Sequence, residues 1–139
     1  MALIVSQFHR SLSQQLVDGA VSILSGYRVR SQDVHRLWVP GVFELPIAAA
    51  HLCLSQPRPH AIIALGVLIR GQTIQYAVIA QAVAQGLVQV SVMNRIPVTF
   101  GVIVAPTLAQ AKARAGGRMG NRGTEAALAA IELLWLLRR

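Results

Sequence analysis

Acidic residues are scarce in this chain: only five of 139 residues are Asp or Glu, against 13 Lys and Arg. There is one cysteine, Cys53, so no internal disulfide can form, and the chain gains no stability from cross-links. Cys53 lies in the apolar stretch Ala48–Leu54, where the one histidine near enough, His51, would point elsewhere on a helix, which suits a packed thiol better than a nucleophile. Aromatic residues make up 5% and charged residues 13%, while 54% are hydrophobic and the mean hydropathy is +0.52. No run reaches the roughly 18 charge-free apolar residues of a spanning helix; the nearest, Ala61–Ile69 and Ala126–Leu137, are strand-length and interrupted by Glu132. The apolar run after Met1 stops at Ser6-Gln7, too short for a secretory signal. So much apolar surface on a chain of one-domain length, with no membrane expected, calls for neighbouring subunits in a cytoplasmic oligomer.

The net charge of +8 first suggests nucleic acid. The basic residues are scattered, however, aromatics are few, and no RNA- or DNA-binding motif is present, so nucleic acid is not the expected partner. The local exception is the stretch from Arg114 to Arg122. None of His9, His35, His51 and His60 has metal-ligand spacing with another, and no metal site is expected.

Four short apolar runs alternate with helical periodicity. Ala2–Ser6, His35–Val39, Ala61–Gly66 and Pro97–Val104 read as strands. A stripe of Leu12, Leu16, Val17, Ala20, Val21 and Leu24 predicts a helix that Gly26 ends. Further helices are expected over Glu44–Ser55, Thr73–Asn94, Thr107–Ala115 and from an Asn121 cap to about Leu137. The longest, Thr73–Asn94, carries no charge; Gln81, Gln85 and Gln89 give it one polar stripe. Such a helix needs burial on more than one side, by its own sheet and by another subunit. The alternation predicts an α/β sandwich: a parallel sheet of four strands with helices on both faces, one domain over 1–139.

In such sheets ligands gather beyond the carboxyl ends of the strands. Gln7-Phe8-His9, Val42-Phe43-Glu44, Val67 to Gln75 and the neighbourhood of Phe100 occupy those positions. Phe8 and Phe43 can stack on a flat ring or simply cover a strand end. Glu44 suits a helix start and can accept hydrogen bonds from hydroxyls. Arg70-Gly71-Gln72-Thr73 opens a long helix, where glycine and free N–H groups can receive an anion, although the spacing is not that of a P-loop. Arg114 and the glycine-rich loop to Gly123 can supply a cation.

Taken in order, Pro40-Gly-Val-Phe-Glu-Leu-Pro46, Ala64-Leu-Gly-Val-Leu-Ile-Arg-Gly-Gln-Thr73, Ile96-Pro-Val-Thr-Phe-Gly-Val102, Arg114-Ala-Gly and Gly120-Asn-Arg-Gly-Thr-Glu-Ala-Ala127 resemble the 6,7-dimethyl-8-ribityllumazine synthase family over essentially the whole chain. The resemblance implies a flavodoxin-like subunit that assembles into pentamers, often stacked into decamers or 60-subunit shells, with active sites between neighbours. It implies condensation of 5-amino-6-(D-ribitylamino)uracil with 3,4-dihydroxy-2-butanone 4-phosphate, without a cofactor. By the same resemblance Phe8 stacks on the pyrimidine, and Val42, Phe43 and Glu44 hold the ribitylamino side. Val67, Leu68, Ile69 and the Phe100 backbone complete the pocket. Gly71, Gln72 and Thr73 bind phosphate, with Arg114 reaching it from a neighbouring chain. Three positions depart from the pattern. Gln75 stands where the family carries its proton-transfer histidine, and an amide does not titrate near neutral pH. His9 replaces an asparagine and is a possible substitute base. The chain also opens almost at its first strand, where the family has a segment that pairs with a neighbour's sheet. The resemblance thus leaves two expectations: a synthase that works without the histidine, or a paralogue that keeps the pocket as a flavin- or lumazine-binding or shell-forming protein.

Overall fold

The computed structural model describes residues 1–138. Four parallel strands, β1 (Ala2–Ser6), β2 (His35–Val39), β3 (Ile62–Ile69) and β4 (Val98–Ala105), form one sheet in the order β2-β1-β3-β4. This order and the helices on both faces make the fold flavodoxin-like α/β. β1 and β3 are central and covered on both faces, which is why Leu3-Ile4-Val5 and Ile62-Ile63-Ala64-Leu65 are unbroken apolar runs rather than alternating ones. Successive side chains go to opposite faces. Leu3, Val5, Ile63, Leu65 and Val67 pack under α1 (Arg10–Gly26) and α5 (Arg122–Leu136). Ala2, Ile4, Ile62 and Ala64 pack under α2 (Leu45–Cys53) and α3 (Gln75–Asn94). Cys53 belongs to this second layer, where burial raises its thiol pKa above the ordinary value and favours the neutral form.

Several boundaries differ from the sequence expectation. β3 continues three residues past Gly66, because Val67, Leu68 and Ile69 pair with Ile103, Val104 and Ala105. α3 begins at Gln75 rather than Thr73, since the Thr73 hydroxyl accepts the Gln75 N–H at 3.3 Å and so acts before the helix. Gly26 is the last helical residue of α1, and the left-handed turn falls on Arg28 at φ 63°. The helix expected over Glu44–Ser55 opens as a 3₁₀ turn, Val42–Glu44, before α2. The basic glycine-rich loop after α4 (Leu108–Arg114) folds as a small hairpin, β5 (Ala115–Gly117) with β6 (Gly120–Asn121).

α3 also corrects the expectation that no segment is long enough to span a membrane: by length and composition this 20-residue helix is. Its charge-free sequence has that property even with four glutamines spaced along it. Only Val83 and Leu87 are buried, while Val92 is 72% and Met93 74% exposed. The sheet covers one side of the helix, and the opposite apolar side is open.

The other layer is joined tightly by Asn121. Its side-chain oxygen accepts the Gly123 and Thr124 N–H groups at 2.8 and 3.1 Å, capping α5, while its amide donates to the Gln15 carbonyl of α1 at 2.9 Å. Gly123 lies so close to α1 that a Cβ there would meet the Leu16 carbonyl oxygen. Gly123→Ala is therefore expected to cost about 2–3 kcal/mol by overpacking, read as a lower denaturant midpoint with unchanged slope.

Candidate active site

Three chain reversals meet at the carboxyl ends of β1, β2 and β3, where the connections diverge to opposite sides of the sheet. After β1, the Gln7 N–H bonds to the Val39 carbonyl at 2.8 Å, and the chain turns outward at Phe8, which is 65% exposed. His9 follows in the left-handed region at φ 57°, with its ring edge-on to Phe8 at 4.9 Å. After β2, the 3₁₀ turn buries Val42 and presents Phe43, which is 63% exposed, and the half-buried Glu44. Val42 fits here because Gly66 has no side chain: a Cβ would stand 2.9 Å from Val42 Cγ2 and 3.1 Å from Ser6 Cβ. After β3 come the exposed Gly71 and Thr73 and the first turn of α3.

Between these segments lies a cleft of about 330 Å³. It brings together Phe8, Val42, Phe43 and Glu44 with Val67, Leu68 and Ile69. Gly71, Thr73 and Gln75 close it. Two aromatic surfaces can hold a flat ring between them. The two ion pairs among the described residues, Arg30–Asp33 and Arg122–Glu125, leave the Glu44 carboxylate free to accept hydrogen bonds from ligand hydroxyls. Thr73 and the start of α3 offer a hydroxyl and amide N–H groups to an anion. The cleft contains neither cysteine nor histidine, so its chemistry is orientation and polar contact.

Four sequence-predicted residues lie elsewhere in the single chain. Gln72 is exposed but does not line the cleft. His9 stands behind Phe8 and lines a neighbouring depression with Arg10 and Lys112. Phe100 is not beyond a strand end: it is the third residue of β4, level with Ala64, because the strand continues through Val102, Ile103 and Val104 to Ala105. It lies with Arg114 beside a separate hollow of about 200 Å³ on the open edge of β4. Arg122, part of the basic loop expected to supply a cation, shares that hollow; Tyr76 and Ile79 share the main cleft, and sequence reasoning gave neither of them a site role. Ile79 was accessible to it, since it follows Gln75 by four residues and so falls on the same helix face.

The fold and cleft define an α/β subunit with an aromatic and polar cleft at the switch point of its sheet and cationic residues on a second, outward-facing edge. The family model for 6,7-dimethyl-8-ribityllumazine synthase matches residues 1–138. The chain is 42% identical over its full length to the protein of that name from Gemmatimonas aurantiaca (strain DSM 14586 / JCM 11422 / NBRC 100505 / T-27), covering 84% of it. It is 40% identical over 96% of its length to the one from Buchnera aphidicola subsp. Baizongia pistaciae (strain Bp), covering 84%. To the one from Kosmotoga olearia (strain ATCC BAA-1733 / DSM 21960 / TBF 19.5.1) it is 37% identical over its full length, covering 88%. The chain belongs to the 6,7-dimethyl-8-ribityllumazine synthase family, oligomeric transferases of riboflavin biosynthesis that act on small molecules.

Proposed function

We propose that this chain, acting as one domain over 1–139, condenses 5-amino-6-(D-ribitylamino)uracil with 3,4-dihydroxy-2-butanone 4-phosphate to 6,7-dimethyl-8-ribityllumazine, releasing phosphate and water. The observation that carries the reading is the meeting of Phe8, Glu44 and Thr73 in one cleft, an aromatic surface, a carboxylate that can accept from hydroxyls and a hydroxyl beside a helix start that can contact an anion. The pyrimidine stacks on Phe8, the ribityl hydroxyls bond Glu44, and the phosphate sits at Gly71, Gln72 and Thr73. The substrate amine is itself the nucleophile, so holding it against the ketone supplies most of the acceleration; such orientation is worth roughly 7–11 kcal/mol in favourable cases. No cofactor enters the reaction.

The same reading makes the working unit a cytoplasmic homopentamer or a multiple of it. Its support is the open apolar side of α3 and the position of Arg114 and Phe100 on the outer edge of β4, from which a neighbour's cleft can be completed. The particle mass should then be a multiple of five 14.9 kDa subunits.

The test is the initial rate of lumazine formation from both substrates, with the spontaneous reaction subtracted. A protein-dependent rate supports the synthase. No rate above background, with tight binding of riboflavin or lumazine retained, turns the reading to a binding paralogue. His9 contacts Phe8 and is proposed as a substitute base. His9→Ala should then abolish a pH-dependent step in the rate profile; an unchanged profile rejects that role.

A further inference from the structure

A second large cleft, of about 710 Å³, lies at the opposite end of the sheet, where the strands begin. Four guanidinium groups reach it from three separate segments: Arg28 and Arg30 after α1, Arg58 before β3 and Arg138 after α5. Asp33 is the single carboxylate on its walls. Asp33 is already held by Arg30 at 2.7 Å, and that hydrogen bond keeps its carboxyl below the ordinary carboxylate range, so it stays ionised and occupied. Among the described residues, Arg28 and Arg58 have no carboxylate partner, and Arg138 lies beside them in a concave site, which concentrates anions. Arg58 is also oriented, because it donates to the Asn94 carbonyl at 2.7 Å.

Two further observations fit a ligand. Arg28 completes the turn off α1, its N–H bonding Ser25 and the Val29 N–H bonding Leu24, at the left-handed position where glycine is favoured. A bulky cation is thus held in an uncommon backbone conformation on the cleft wall, as ligand-contacting residues often are. Trp135, 69% exposed, also lines the cleft, with the apolar Leu134 and Ile131. An indole in that position is a stacking platform with cations beside it.

We propose that this cleft binds a phosphorylated aromatic small molecule of the nucleoside-diphosphate class, with its phosphates on Arg28, Arg58 and Arg138 and its ring on Trp135. The volume suits one mononucleotide, within the usual range of small-molecule sites. The site is separate from the synthase cleft and does not depend on the function proposed for it.

The experiment is calorimetric titration of the wild-type protein with ADP, pyrophosphate and adenosine. ADP should bind more tightly than either fragment and weaken as salt rises. Arg28→Ala and Arg58→Ala should each lower ADP affinity about tenfold, the value of one charge-assisted contact, with the rate of lumazine formation unchanged. Trp135→Ala should reduce ADP binding towards that of pyrophosphate. Arg114→Ala, in the other hollow, should leave ADP binding intact. The proposal is overturned if ADP gives no heat at millimolar concentration, if Arg114→Ala abolishes binding, or if single-stranded RNA binds where ADP does not.

Discussion

Gln75→His is expected to raise the initial rate of lumazine formation about 10- to 100-fold near neutral pH, at the low end of what a positioned acid or base contributes. Gln75 is the first residue of α3 and lines the cleft beside Thr73 and Tyr76. The Thr73 hydroxyl fixes its backbone N–H, so an imidazole can be exchanged for the amide without moving the helix. The positive end of the helix dipole disfavours an imidazolium at that place, which keeps the new ring neutral and able to accept a proton near pH 7. The rate gain should arrive with an acid limb in the pH profile that Gln75→Ala does not show. An unchanged rate in Gln75→His means that proton transfer at this position does not limit turnover, and that another group or product release sets the pace. A gain appearing only in KM would mean that the ring merely binds substrate.

How much of this was legible beforehand depends on whether the signal was local. Buried strands announce themselves, so β1 was placed to the residue, and with it Phe8 at the strand end. The Asn121 cap was legible for the same reason: one side chain next to the N–H groups it satisfies. Strand lengths were less accessible. β3 runs to Ile69 because of partners some 35 residues away in β4, a pairing that no local pattern contains. The same extension moved Phe100 from a strand end to the middle of the sheet edge. Arg28 took the turn expected at Gly26 because the bonds that close α1 reach back to Ser25 and Leu24, and those bonds set the left-handed position. Phe100 was expected to complete the pocket, and the single chain holds it apart on the β4 edge; Arg114, expected to reach a neighbour's phosphate, lies beside it there. In the function proposed above both act on a second copy, and a one-chain pattern carries no direct record of where that copy sits.

That separation gives the second large effect: two inactive variants are expected to restore one another. Arg114→Ala removes the charge proposed to hold the substrate phosphate. Losing such a transition-state contact typically costs about 10²–10³ in rate. A second variant, Phe8→Ala with Glu44→Ala, removes the stacking surface and the ribityl contact, and should be similarly disabled. Each variant is intact where the other is broken. If a site takes its cleft from one subunit and Arg114 from the next, random co-assembly after equal mixing makes about a quarter of the sites fully native. The mixture should therefore recover about a quarter of wild-type activity once the subunits have been dissociated and reassembled together, and nothing when preformed assemblies are simply combined. If instead each chain reached its own cleft with its own Arg114, every site would keep one defect at any mixing ratio, and no activity would return. Recovery thus measures whether the cationic edge of β4 completes a neighbour's cleft. Its absence, in assemblies shown by mass to contain both variants, would return Arg114 to the surface and leave Thr73 and the start of α3 as the sole anion contact.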